Sequence, residues 1–99
     1  MPKSVQKFKN ELTEADAILI ANPEYNGSIS GALKNALDWA SRGLAEDEPM
    51  YHSFAGKPAA IIGASPGRLS AVRSALHLRH ILSALNCNVM GKQVLVGEA

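Results

Sequence analysis

With a single cysteine, Cys87, the 99-residue chain can build no internal disulfide framework. No second cysteine stands at CxxC spacing, so Cys87 reads as a small buried side chain rather than a redox or metal group. A reducing, cytoplasmic setting fits that usage. Long apolar runs are also missing. None approaches the roughly 20 residues of a membrane-spanning helix, so no membrane partner is expected. The polar start, Met1-Pro2-Lys3-Ser4, argues against a secretory signal. Charge of one sign is scarce too, with a formal net charge of +1 and no lysine or arginine run. Nucleic-acid binding through a basic patch is therefore not expected.

What is present is an alternation of two periods. Residues 4–14 repeat at helical spacing, with Val5, Phe8 and Leu12 on one face. Residues 16–22 form a short apolar run that Pro23 ends, as in a strand buried on both faces of a parallel sheet. Residues 30–42 are helical again, with Ala32, Leu33, Ala36, Leu37, Trp39 and Ala40 on one side and Lys34, Asp38 and Arg42 opposite. A polar loop spans 45–57, where Glu46, Asp47 and Glu48 read as solubilising charges. A second buried-type run covers 59–64, a third helix 69–85, and a last short strand 94–96. This order predicts one α/β domain, an open parallel sheet of three strands with helices on both faces.

Open parallel sheets bind ligands beyond the carboxyl ends of their strands. Two loops fall there, Asn22-Pro23-Glu24-Tyr25-Asn26-Gly27-Ser28 and Ala64-Ser65-Pro66-Gly67-Arg68. Both lead into helix N-termini, whose unpaired N–H groups suit phosphates and electron-rich heteroatoms. Turn chemistry alone would select the same Gly, Pro, Asn and Ser residues. Tyr25 is different, since periodicity gives it no core role and its ring can border a flat heterocycle.

The run from Ala21 through Pro23-Glu24-Tyr25-Asn26-Gly27-Ser28 and Gly31-Ala32-Leu33-Lys34-Asn35-Ala36-Leu37-Asp38-Trp39 resembles the signature of the NADPH-dependent FMN reductase family. The resemblance covers nearly the whole chain and implies a flavodoxin-like domain, FMN and NADPH as cofactors, and a flavin, quinone, azo compound or metal oxyanion as electron acceptor. It implies that Pro23, Glu24, Tyr25, Asn26, Gly27 and Ser28 wrap the isoalloxazine, with Ser65, Gly67 and Arg68 bordering it from the next strand. Because the cofactor carries the hydride chemistry, no catalytic acid or base is assigned. The family's first strand, its phosphate-holding Ser/Arg loop and its closing helix have no counterpart between residues 1 and 99. Relatives often carry a glycine pair where this chain has Ser70-Ala71.

On the third helix Val72, Ala75, Leu76, Leu78, Ile81, Leu82 and Leu85 span more than half the wheel. So wide an apolar arc asks for two partners, the sheet and a second subunit. The family resemblance likewise implies a homo-oligomer, dimer or tetramer. His77 and His80 lie at i, i+3, but without a third ligand they read as a polar face and not a metal site. Two other readings remain, a non-catalytic flavodoxin-like fragment that holds FMN weakly or not at all, and a receiver-like domain. The second lacks an acidic cluster at the strand ends, where Glu24 stands alone.

Overall fold

The computed structural model describes residues 1–43 and 48–98. Glu46 and Asp47 lie outside the described residues. The helices are α1 (Lys3–Glu14), α2 (Gly31–Ala40) and α3 (Val72–Ala84), and the strands are β1 (Ile18–Ala21), β2 (Pro58–Ala64), β3 (Asn88–Val89) and β4 (Val94–Val96). All strand pairs are parallel. β1 runs beside β2 from Ile18↔Ala59 to Ala21↔Ile62. On the other edge of β2 the lower half pairs with β3 and the upper half with β4. The sheet therefore has the three lateral positions that the sequence predicts, but the third is broken. Arg79 of α3 spans the break, donating from Nε to Gln93 Oε1 at 2.9 Å and from Nη2 to the Gly91 carbonyl at 3.0 Å. β3 is too short to give a periodic signal, which is why sequence patterning misses it.

Side chains alternate across a strand, so burial reports which face is covered. Ile18, Ile20, Ala59, Ile61 and Leu95 belong to or pack on the core with Leu37, Ala40, Ala75, Leu78 and Leu82 of the helices. Leu19, Ile62, Val94 and Val96, on the opposite face, are exposed. The open parallel sheet stands, and the expectation of helices on both faces does not hold. The cause is topological. From β1 through β2 to β4 the chain advances one strand at a time in one direction, and crossovers of one hand then place α2 and α3 on one side. Only a reversal of winding direction covers the second face.

α1 lies against α2 in the same helical layer. Its buried residue is Lys9, at 1% exposure, while Phe8 is exposed. Lys9 Nζ donates to Glu48 Oε1 at 2.5 Å and to Ser53 Oγ at 2.8 Å. Glu48 is thus part of a partly buried ion pair and not a solubilising charge. Lys57 Nζ donates to the Leu12 carbonyl and, at 3.3 Å, to that of Thr13, filling acceptors that the end of α1 leaves open.

α2 is capped by Ser30, whose Oγ accepts from Leu33 N at 3.0 Å. α3 starts at Val72 and not at 69. Ser70 and Ala71 have φ of 55° and 64°, and two left-handed residues in a row cannot continue a helix. Left-handed backbone costs a non-glycine residue about 1–2 kcal/mol, while glycine costs about 0.5–1 kcal/mol in lost chain freedom. Ser70→Gly is therefore expected to stabilise the fold by about 0.5–1 kcal/mol, read as a raised urea midpoint with an unchanged slope. A midpoint at or below that of the parent chain would contradict the strain at this position.

The wide apolar arc of α3 is only partly used. Ala75, Leu78 and Leu82 are buried, Leu76 is 57% exposed, and Val72, Ile81 and Leu85 are half-buried. Cys87 is buried as expected, and burial pushes its thiol above the usual range, against a smaller opposite pull from Lys57.

Candidate functional site

β1 ends at Ala21, and the chain leaves the sheet through Asn22, whose N–H still donates to the Ile62 carbonyl at 2.8 Å. Tyr25 and Ser28 then exchange backbone hydrogen bonds of 2.8 and 3.1 Å. Between them Asn26 and Gly27 have φ of 53° and 80°. Two positive φ values in a two-residue connection make a type I′ turn, and Asn-Gly is its preferred sequence. The loop is a miniature hairpin. The N–H groups at its tip, on Asn26 and Gly27, take no hydrogen-bond partner among the described residues. Tyr25 is 60% exposed beside them.

The start of α3 holds this hairpin. Arg73 donates to Glu24 Oε2 from Nη2 at 2.6 Å and from Nε at 3.2 Å. Ser74 N donates to the other carboxylate oxygen of Glu24 at 3.2 Å. Ser74 Oγ donates to the Pro23 carbonyl at 2.7 Å and accepts from Asn22 Nδ2 at 2.9 Å. His77 Nδ1 meets Ser28 Oγ at 2.8 Å. The Arg73 guanidinium, with help from the Ser74 N–H, holds the Glu24 carboxyl below the usual carboxylate range against a weaker opposing effect of burial, and Glu24 in turn raises Arg73. A carboxylate so engaged is a poor proton shuttle. It serves as a tether.

The second loop is held elsewhere. Ser65 N donates to the Val96 carbonyl at 2.9 Å, and Glu98 N donates to that of Gly67 at 3.1 Å. Ser65 Oγ accepts from Gly67 N at 3.2 Å. Arg68 is almost fully exposed, 4.0 Å from Glu98. Both loops leave the carboxyl ends of adjacent strands, yet no hydrogen bond joins 23–28 to 65–68 among the described residues. Between them, on the uncovered face, lies an apolar cleft of about 480 Å³ lined by Ala21, Asn22, Pro23, Ile62, Gly63, Ala64, Val94 and Val96. That is ample for a flat ring system. The only buried side-chain oxygen without a partner among the described residues is Asn22 Oδ1.

Sequence reading singled out the hairpin but not what fixes it. Asn22 lies in the loop but nothing marks its side chain as a tether, and Ser74 and His77 carry no turn or motif signal. Only the i, i+3 and i, i+4 spacing of 73, 74 and 77 on α3 hints at a shared face. Among the described residues no group of three His, Cys, Asp or Glu side chains could hold a metal ion.

The sequence matches the family described as NADPH-dependent FMN reductase over residues 1–99. The chain belongs to this family. It is 46% identical, over 99% of its length, to an NAD(P)H-dependent FMN reductase of Pseudomonas aeruginosa and covers 50% of that protein. It is 41% identical over 97% of its length to a quinone reductase of Escherichia coli, covering 48% of it. Among solved structures it superposes with a TM-score of 0.81 on a flavoenzyme NAD(P)H:(acceptor) oxidoreductase from Paracoccus denitrificans, at 39% identity, covering 91% of this chain and 47% of that one. The parallel sheet is thus the flavodoxin-like sheet of FMN reductases, and the chain spans about half the length of the curated relatives it matches. No helix among the described residues is long and apolar enough to cross a membrane.

Proposed function

We propose that this FMN reductase family chain carries the isoalloxazine-binding part of an NAD(P)H-dependent flavoprotein oxidoreductase. The observation that carries the reading is the Tyr25–Ser28 hairpin, with two N–H groups at its tip that find no partner among the described residues, beside an apolar cleft at the strand ends. A flavin ring has an apolar benzenoid end and a pyrimidine edge rich in acceptors, and these two features match its two ends. In this reading Pro23, Glu24, Tyr25, Asn26, Gly27 and Ser28 form the wall around the ring, with Ser65, Gly67 and Arg68 at its border. Bound FMN supplies the hydride and electron chemistry, taking reducing equivalents from NADPH and passing them to a flavin, quinone, azo compound or metal oxyanion. The chain's residues bind and orient it. Asn26 and Gly27 offer N–H donors, Tyr25 borders the ring and Glu24 keeps the loop in place.

The same proposal makes the protein a cytoplasmic homo-oligomer, dimer or tetramer. Leu19 on the uncovered sheet face and Leu76 on α3, both outside the cleft lining, are exposed apolar residues that favour association. A second reading, a fragment that holds FMN weakly or not at all, is favoured by that same uncovered face. Flavin titration separates them. Saturable quenching of FMN fluorescence, with quinone-dependent oxidation of NADPH, is expected of the first reading. Quenching that never saturates, with no turnover, would leave the second.

A further inference from the structure

We propose that Arg73, Ser74 and His77 of α3 are positioning residues for the flavin site, acting as a three-point clamp on the Asn22–Ser28 segment. This inference rests on the FMN-binding reading of that segment. The hairpin has little to hold it by itself. Its internal bonds are the two between Tyr25 and Ser28, and isolated two-stranded hairpins are marginal in water. Tyr25 is exposed, and of the segment's hydrophobic neighbours only Ile29 reaches the core. What fixes the hairpin must come from outside it, and among the described residues every side-chain hydrogen bond it makes runs to α3.

The three points are spread along the segment in order. Ser74 takes its base, through the Pro23 carbonyl and Asn22 Nδ2. Arg73 takes its middle, gripping the Glu24 carboxylate while the Ser74 N–H takes the second oxygen. His77 takes its far end, at Ser28 Oγ. Positions 73, 74 and 77 share a helix face, so the clamp moves as one rigid body. Neither Asn26 nor Gly27 is touched by a hydrogen bond from α3, which leaves the tip N–H groups to a ligand. The clamp engages the base and far end of the hairpin and spares its tip. Holding a donor array in its binding geometry before the ligand arrives raises affinity by removing the ordering cost.

Amide exchange and flavin titration on the full chain test this together. In Arg73→Ala and His77→Ala, the Tyr25 and Ser28 amides should exchange about tenfold faster than in the parent chain, with β1 and β2 amides unchanged. FMN affinity should fall in step. Arg73→Lys and His77→Asn, which keep a donor near Glu24 and near Ser28 Oγ, should recover a large part of both. Rescue by shape-conserving donors is what a merely structural helix residue would not give. His77 is exposed, so its replacement leaves the core intact. Unaltered exchange at Tyr25 and Ser28 in the alanine variants would overturn the clamp, as would conservative variants no better than alanine. Should the parent chain fail to bind FMN, the functional reading falls, and the exchange arm still decides whether the clamp exists.

Discussion

Lys9→Ala is expected to destabilise the protein by about 3–5 kcal/mol. Lys9 is 1% exposed, and its ammonium lies between Glu48 and Ser53. The order of donors around it is fixed. Thr13 Oγ1 donates to the Lys9 carbonyl at 2.8 Å, so Ser53 Oγ must donate to Thr13 Oγ1 at 2.7 Å, and Ser53 Oγ is then the acceptor for Lys9 Nζ. Each hydroxyl uses its single proton, and the ring closes on the backbone of α1. Removing the ammonium takes one partner from the Glu48 carboxylate, which is 12% exposed, and opens a void where the stem packed. Lys9→Met keeps most of the stem and should cost clearly less than alanine. Urea unfolding of the two variants checks this. A loss below about 1 kcal/mol for alanine would mean the pair behaves as a surface salt bridge.

Gly63→Val is expected to cost about 3 kcal/mol, the upper end for overpacking, and to weaken flavin binding as well. A Cβ at Gly63 would stand 2.7 Å from the Asn22 carbonyl oxygen, 3.3 Å from Leu95 Cδ2 and 3.5 Å from Ala71 Cβ. The closest of these is backbone, so relief requires β1 to move where it turns into the Asn22–Ser28 segment. The packing defect is thereby transmitted to the hairpin. Thermal unfolding and FMN titration on the same sample read both effects. Parent-like stability in Gly63→Val would show that β1 and β2 approach less closely than described.

The repeating order of strands and helices was legible because buried parallel strands and amphipathic helices have different periods. Leu37, Ala40, Ile61, Leu78 and Leu82 all lie in the core where periodicity puts them. The Asn26-Gly27 turn was legible because its chemistry is local. Four things were not. Lys9 looks like a surface residue until segment 48–57, some 40 residues away, brings it partners. The uncovered face was hidden because β1 and β2 read as continuous apolar runs, which do not tell one covered face from two. Ser70 and Ala71 lie within a helical period, and only their backbone angles end it. The hairpin was found by motif and the clamp was not, because the contacts from Arg73, Ser74 and His77 span some 50 residues of chain.

The Tyr25–Ser28 hairpin with its tip N–H groups is proposed as the flavin-ring site. Amide chemical shifts recorded while FMN is added to the chain test it most directly. Saturable shifts are expected to be largest at Asn26 and Gly27, with smaller ones at Tyr25, Ser28 and Ser65–Arg68 and none along α1. Saturable shifts that leave Asn26 and Gly27 unmoved while amides elsewhere respond would contradict it.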